Sequence, residues 1–225
     1  MRQFINNYLE ALSPLIPLIV IIVFYLQKKT KAAIALFIHY LSSFALCLWI
    51  VILSFKHQPN IHIYTALGII SFCSLSIFLY LSLKKTNNKK LVAFLSIVYI
   101  LFFFANVIFW ENNSAFNSIG FATGSLFILM SCFIYFKERL ILLDLQNTPT
   151  VSNIWVFVSF LFYYVGSFFI FLTYKILTQK GIHTNLLEER KSLGTLWGIH
   201  NIIYFISCLI ATFGLLLKKF QVRFT

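Results

Sequence analysis

Apolar positions along this chain neither alternate nor recur on one helical face. They fill seven nearly uninterrupted blocks, separated by short polar stretches. The blocks fall near residues 12–27, 32–55, 61–83, 91–110, 115–136, 152–174 and 194–217. Away from their ends they contain no Asp, Glu, Lys or Arg. A strand would show period-two alternation, which is absent. A helix satisfies all its backbone hydrogen bonds within its own segment, so it is the element that can cross lipid alone. The pattern therefore predicts an all-α integral membrane protein, a seven-transmembrane-helix bundle forming one domain over residues 1–225. Pro14 and Pro17 fall in the first turns of the shortest block, where a missing N–H does least harm. No small-residue cleavage pattern follows that block; Lys28-Lys29 does, so it reads as a retained span.

Composition agrees. Of 225 residues, 60% are hydrophobic and 11% charged, whereas a soluble domain is about a quarter charged. A soluble fold with these residues would expose large apolar patches, which excludes an ordinary soluble enzyme, a disordered chain and a secreted disulfide scaffold. Spans of about 20 residues consume the length and leave no room for an extramembrane catalytic domain. The four cysteines each lie within an apolar block, without CxxC or Cys/His spacing, and read as small apolar packers.

The net charge of +12 would suggest nucleic acid in a soluble protein. Here the basic residues sit in short runs between apolar blocks, so no nucleic-acid role is expected. Lys28, Lys29, Lys31, Lys84, Lys85, Lys89, Lys90, Lys137, Arg139, Lys218, Lys219 and Arg223 flank one side, against Arg2, Lys56, Lys175, Lys180, Arg190 and Lys191 on the other. Cytoplasmic loops carry the excess of Lys and Arg, so the N-terminus is expected outside and the C-terminus in the cytoplasm. The basic loops would also meet anionic lipid head groups of the bilayer.

Several membrane chemistries need residues these blocks lack. No mid-span lysine is available for a retinal Schiff base. Only His39 and His200 lie well inside spans, with no acid to join them in a metal site. No intramembrane carboxylate is expected to couple transport to protons or sodium. The arginine-bearing cytoplasmic triplet and helix-7 Asn-Pro motif of eukaryotic G-protein-coupled receptors are missing. No cofactor, metal or catalytic residue is expected.

Polar side chains instead gather toward the outer ends. Trp197, His200, Asn201, Tyr204, Ser207 and Cys208 are spaced by threes and fours and share one side of the last span. The fourth span ends with Asn106, Trp110 and Glu111, and the sixth carries Tyr163, Tyr164 and Ser167. Aromatics with a few hydrogen-bonding groups make up small-molecule pockets, and the candidate ligand-binding residues are Trp197, His200, Asn201, Tyr204, Asn106, Glu111 and Tyr163. Trp49, Trp110 and Tyr174 read as an interfacial belt, and His39 as a packing residue. Gly120 and Gly124 open a small-residue face on the fifth span. That face fits an internal contact, with Gly166-Ser167 as the opposing surface, or an oligomer interface. Residues 137–151 mix charge with leucine and form the candidate contact for a cytoplasmic signalling protein.

The second half of the chain resembles a family of small bacterial seven-helix membrane proteins of unassigned function. The matching pieces are Phe116-Asn117-Ser118, Ile134-Tyr135-Phe136, Thr148-Pro149, Trp155, the run Tyr163 to Phe171, and the run Leu196 to Tyr204. The resemblance covers roughly residues 114–217. The family's usual glycine-asparagine in the sixth span reads Gly166-Ser167 here. Its members look receptor-like and are often encoded near sensor kinases or transcription regulators. The resemblance implies a membrane-embedded sensing half of a split signalling system, in a bacterial inner membrane. The alternatives are a facilitative small-solute transporter or channel, and a structural subunit of an inner-membrane complex.

Overall fold

A computed structural model describes residues 8–24, 30–110, 116–143, 151–179 and 186–223. All regular structure among them is helical: α1 (Leu9–Leu12), α2 (Leu15–Phe24), α3 (Lys31–Phe55), α4 (Ile61–Ser82), α5 (Thr86–Phe109), α6 (Ser118–Leu143), α7 (Val151–Gln179) and α8 (Leu186–Arg223). The helices α3 to α8 are each long and apolar enough to cross a membrane, and the apolar helix before them is shorter.

The first block is two helices rather than one. Pro14 has no N–H to return to the Glu10 carbonyl, and Pro17 has none for Ser13. The Ser13 carbonyl is instead taken by Ile16, three residues on, at 3.3 Å. The Ser13 hydroxyl turns back to the Leu9 carbonyl. The regular hydrogen-bond pattern is therefore interrupted at Ser13-Pro14, between α1 and α2. Elsewhere the helices outrun the apolar blocks. The last block begins near residue 194, but α8 begins at Leu186, because Leu, Glu, Arg and Lys are good helix formers in water. Residues 137–143 likewise extend α6. At the start of α3 the Thr30 hydroxyl caps the Ala33 N–H at 3.3 Å. At the end of α3, His57 takes a left-handed conformation (φ 53°) and its N–H bonds the Ser54 carbonyl.

The helices close into a ring. α3 packs on α2 and α4, α4 on α6, α6 on α7, α7 on α8, and α8 returns to α2, while α5 sits outside the ring against α4 and α6. The short α1 lies against α3 and α8. Alternating chain direction puts Phe55, Ile61, Phe109 and Ser118 at one end of the bundle, and Lys31, Ser82 and Thr86 at the other. The surface is apolar: Phe94, Leu101 and Ile108, seven residues apart on α5, all face outward, with Leu101 67% exposed. Such a stripe is stable against lipid and unstable against water, and the chain is a helical membrane protein.

The half of the bundle toward the Lys31 end is filled with apolar side chains. Tyr135 stacks on Phe157 with centroids 3.5 Å apart, and Phe78 stacks on the same ring at 5.3 Å. Ile21, Leu75, Leu79 and Ala211 close the space around them. On α6, the Gly120–Gly124 face receives Tyr99 of α5, whose hydroxyl donates to the Gly120 carbonyl at 3.2 Å. A methyl at Gly124 would stand 2.7 Å from that hydroxyl. The expected opposing surface is not used: Gly166 faces Ile203 of α8 instead.

Candidate ligand-binding cavity

The half of the bundle toward the Phe55 end is not filled. The short α1 packs against α3 and α8 at this end, where Ala11 is buried. The carboxylate of Glu10 accepts the indole N–H of Trp197 and the thiol of Cys47. Glu10 precedes the spanning helices, and enclosure by protein raises its carboxyl from the usual range to about 7. No cation among the described residues offsets it.

Beneath Glu10 lies a cavity of about 60 Å³, bordered by residues of α1, α3, α4, α6, α7 and α8. Beside it lies a vestibule of about 280 Å³, walled by Ile50, Val51, Ser54 and Phe55. Glu10, Cys47 and Tyr64 border both spaces. They stand at the junction.

The cavity wall is aromatic. Tyr64 meets Trp197 edge-on at 5.3 Å, and Phe116 meets both, at 5.8 and 5.5 Å. His200 sits 5.4 Å from Trp197, 5.1 Å from Phe171 and 5.5 Å from Tyr163, centroid to centroid. Each contact has the tilted or edge geometry that aromatic quadrupoles favour. The Tyr163 hydroxyl lies 3.4 Å from Nε2 of His200, while Nδ1 of His200 is buried without a hydrogen-bond partner. With the tyrosine donating to Nε2, the ring proton sits on Nδ1, and no atom of the described residues accepts it. A buried donor left unmade is destabilising by about 1–3 kcal/mol, and a ligand acceptor would relieve that. Tyr204 borders the same space and bonds Ser43 of α3.

Trp197, His200, Tyr204 and Tyr163 are thus brought together as the sequence suggests. Asn201 is fully buried but is not part of the wall, being one residue and about 100° around α8 from His200. Asn106 is elsewhere: its amide donates to Oδ1 of Asn117 at 2.7 Å, and the same oxygen accepts the Gly120 N–H at 2.9 Å. This pair ties α5 to the start of α6 and does not touch the cavity. Glu111 lies outside the described residues, as do residues 144–150 of the 137–151 segment. Trp49 and Trp110 are exposed on the bundle surface, whereas Tyr174 packs on Phe116 at 5.2 Å rather than standing apart in a belt. His39 bonds Ser74 of α4 at 3.3 Å and also borders the deep end of the cavity.

Two carboxylates outside the apolar blocks pack against the bundle. Glu10 falls two residues before the first apolar block, and its proline-broken helix carries it inward. The signal was an acid just ahead of paired prolines. Glu138 lies beyond the fifth block and is 2% exposed. Its carboxylate accepts the backbone N–H groups of Lys84 and Lys85 and the amide of Asn88.

No protein-family model, curated protein or solved structure matches the chain. Its fold and cavity define a helical membrane protein with an aromatic-walled polar chamber at one end of the bundle.

Proposed function

We propose that the chain is a receptor-like sensory module that binds a small ligand from the outer side and signals to a cytoplasmic partner. The observation that carries this reading is the convergence of Glu10, Trp197 and His200, from α1 and α8, on one cavity that also touches α3, α4, α6 and α7. A ligand there contacts most of the ring at once. Any state in which α7 and α8 sit differently against α1 and α3 would hold it with a different affinity, and that difference is what drives a conformational response. The distribution of basic residues favours placing the Phe55 end outside. The resemblance over residues 114–217 favours a signalling context.

The partner would meet the opposite end, where Lys137 is exposed on α6. The test is gentle affinity purification from native membranes. A stoichiometric cytoplasmic kinase or regulator, lost on charge reversal of Lys137 and Arg139, is the expected result. Recovery of the chain in a larger membrane assembly, unaffected by that reversal, would replace the reading with the structural-subunit one.

A facilitative transporter is the second reading, favoured by the enclosed Glu10 at one end of the bundle. Against it stands the Tyr135–Phe157–Phe78 stack, which packs apolar rings between the described helices below the chamber. Solute flux into proteoliposomes above empty-vesicle controls would reverse this ranking.

A further inference from the structure

We infer that the ligand of this chamber is a small organic cation, its ammonium group held by the Glu10 carboxylate within the aromatic wall of Tyr64, Trp197 and Phe116. The inference rests on the reading that the chamber binds a ligand, and it names the chemical class.

Three observations lead to it. First, among the described residues Glu10 is the one side chain with a formal charge on the walls of cavity and vestibule. A carboxylate partly enclosed by protein is stabilised by a counter-charge or strong donors. Among the described residues Glu10 accepts from an indole N–H and a thiol, fewer donors than its two oxygens can take. Second, Tyr64 and Trp197 flank it at right angles, with Phe116 closing the corner. Aromatic faces carry negative potential, and a carboxylate among them is the arrangement that recognises ammonium groups. An anionic ligand would meet repulsion from both. Third, the sizes fit a head and a tail. The cavity, at about 60 Å³, holds about two waters' worth of matter, enough for a compact ammonium head. The vestibule is more than four times larger and its wall is mainly Ile50, Val51 and Phe55, suited to a short apolar tail. Glu10, at the junction, is where head and tail would meet.

Besides Glu10, the titratable groups on the described cavity wall are Cys47, five tyrosines (Tyr64, Tyr99, Tyr163, Tyr164 and Tyr204) and the histidines His39 and His200. The thiol and phenols carry no positive charge in any protonation state; His39 bonds Ser74 and His200 faces Tyr163 rather than the carboxylate. Binding should therefore strengthen as Glu10 ionises.

The test uses the full chain with Trp49, Trp110 and Trp155 changed to Phe, leaving Trp197 as the single fluorophore. Methylammonium and n-butylammonium are titrated against n-butanol and butyrate. The expected result is a saturable change in Trp197 emission with both ammonium ions, at least tenfold tighter than with butanol or butyrate. Affinity should fall on going from pH 8 to pH 5.5, and Glu10→Gln should lose at least tenfold for the ammonium ions alone. The pH series on the parental side chain serves even where Glu10→Gln does not fold. Butanol binding as tightly as butylammonium, or ammonium binding indifferent to pH and to Glu10→Gln, would overturn the cation inference and leave a receptor for a neutral ligand standing. No saturable response to either ammonium ion would also overturn it, and the partner purification decides the receptor reading separately.

Discussion

Glu138 on α6 reaches across to Asn88 on α5, whose side-chain amide donates to its carboxylate at 2.6 Å. The same carboxylate takes the backbone N–H groups of Lys84 and Lys85, so one buried acid caps the turn between α4 and α5 from a third helix. Glu138→Ala would remove the acceptor of all three donors, which are only partly shielded from water. At about 0.5–1.5 kcal/mol for a net hydrogen bond, it should destabilise the fold by about 1–2 kcal/mol, read by denaturant unfolding in detergent. Glu138→Gln keeps the shape and should lose less. Lys137→Ala, one residue away and exposed, should change stability by under about 0.5 kcal/mol.

Asn117 accepts two hydrogen bonds through one oxygen, from Asn106 and from the Gly120 backbone. Asn117→Ala should therefore weaken the bundle by about 2–3 kcal/mol. Since neither asparagine borders the chamber, neither substitution should alter Trp197 fluorescence changes on ligand titration. A selective loss of ligand response in a stable Asn106→Leu variant would return Asn106 to the binding site.

Gly124 is set by Tyr99. A methyl group 2.7 Å from the Tyr99 hydroxyl forces α5 away from α6, and overpacking of this kind is destabilising by about 1–3 kcal/mol. Gly124→Ala should lower the melting temperature, and the double variant with Tyr99→Phe should recover part of the loss. A Gly124→Ala chain of unchanged stability and altered oligomeric state would assign that face to a second copy.

Glu10 makes stability depend on pH in a direction unusual for a carboxylate. Its carboxyl is raised to about 7 in the fold from an ordinary value near 4.5, so the folded chain holds a proton that the unfolded chain releases. Stability from this group is complete below about pH 4.5 and declines as pH rises to about 7. The melting temperature without ligand should fall across that interval, and Glu10→Gln should flatten the slope. A saturating ammonium ligand should reverse it.

His57 occupies the left-handed position that stops α3, with φ 53°. Glycine adopts this conformation without the steric penalty of a Cβ. His57→Gly should stabilise the chain by up to about 1 kcal/mol, with the helix content from circular dichroism unchanged.

The apolar blocks located all six long helices because lipid and helix geometry impose the same demand on each. They misplaced helix ends, since a polar residue such as Glu188 leaves the apolar pattern without leaving the helix. Trp197, His200 and Tyr204 of the α8 stripe border one cavity, because a helical face is readable from spacing. Asn106 stands apart from it: spacing reveals which residues share a face, but not that a neighbouring asparagine at 117 would claim its amide. Glu10 and Glu138 were missed for a shared reason. Each lies beyond an apolar block, where charge reads as solvent-facing, and each is drawn inward by a contact distant in sequence.

A helix of four residues cannot sustain itself, since nucleation alone is unfavourable, so α1 keeps its place through α3 and α8. It bears the carboxylate that separates vestibule from inner cavity. If the chamber binds a ligand as proposed, the speed of exchange and the strength of binding rest on different parts of the molecule: α1 for the first, the aromatic walls for the second. Tethering Ala11 to α3 should slow arrival and departure alike, and turn a rapidly responding chamber into one that retains its last occupant.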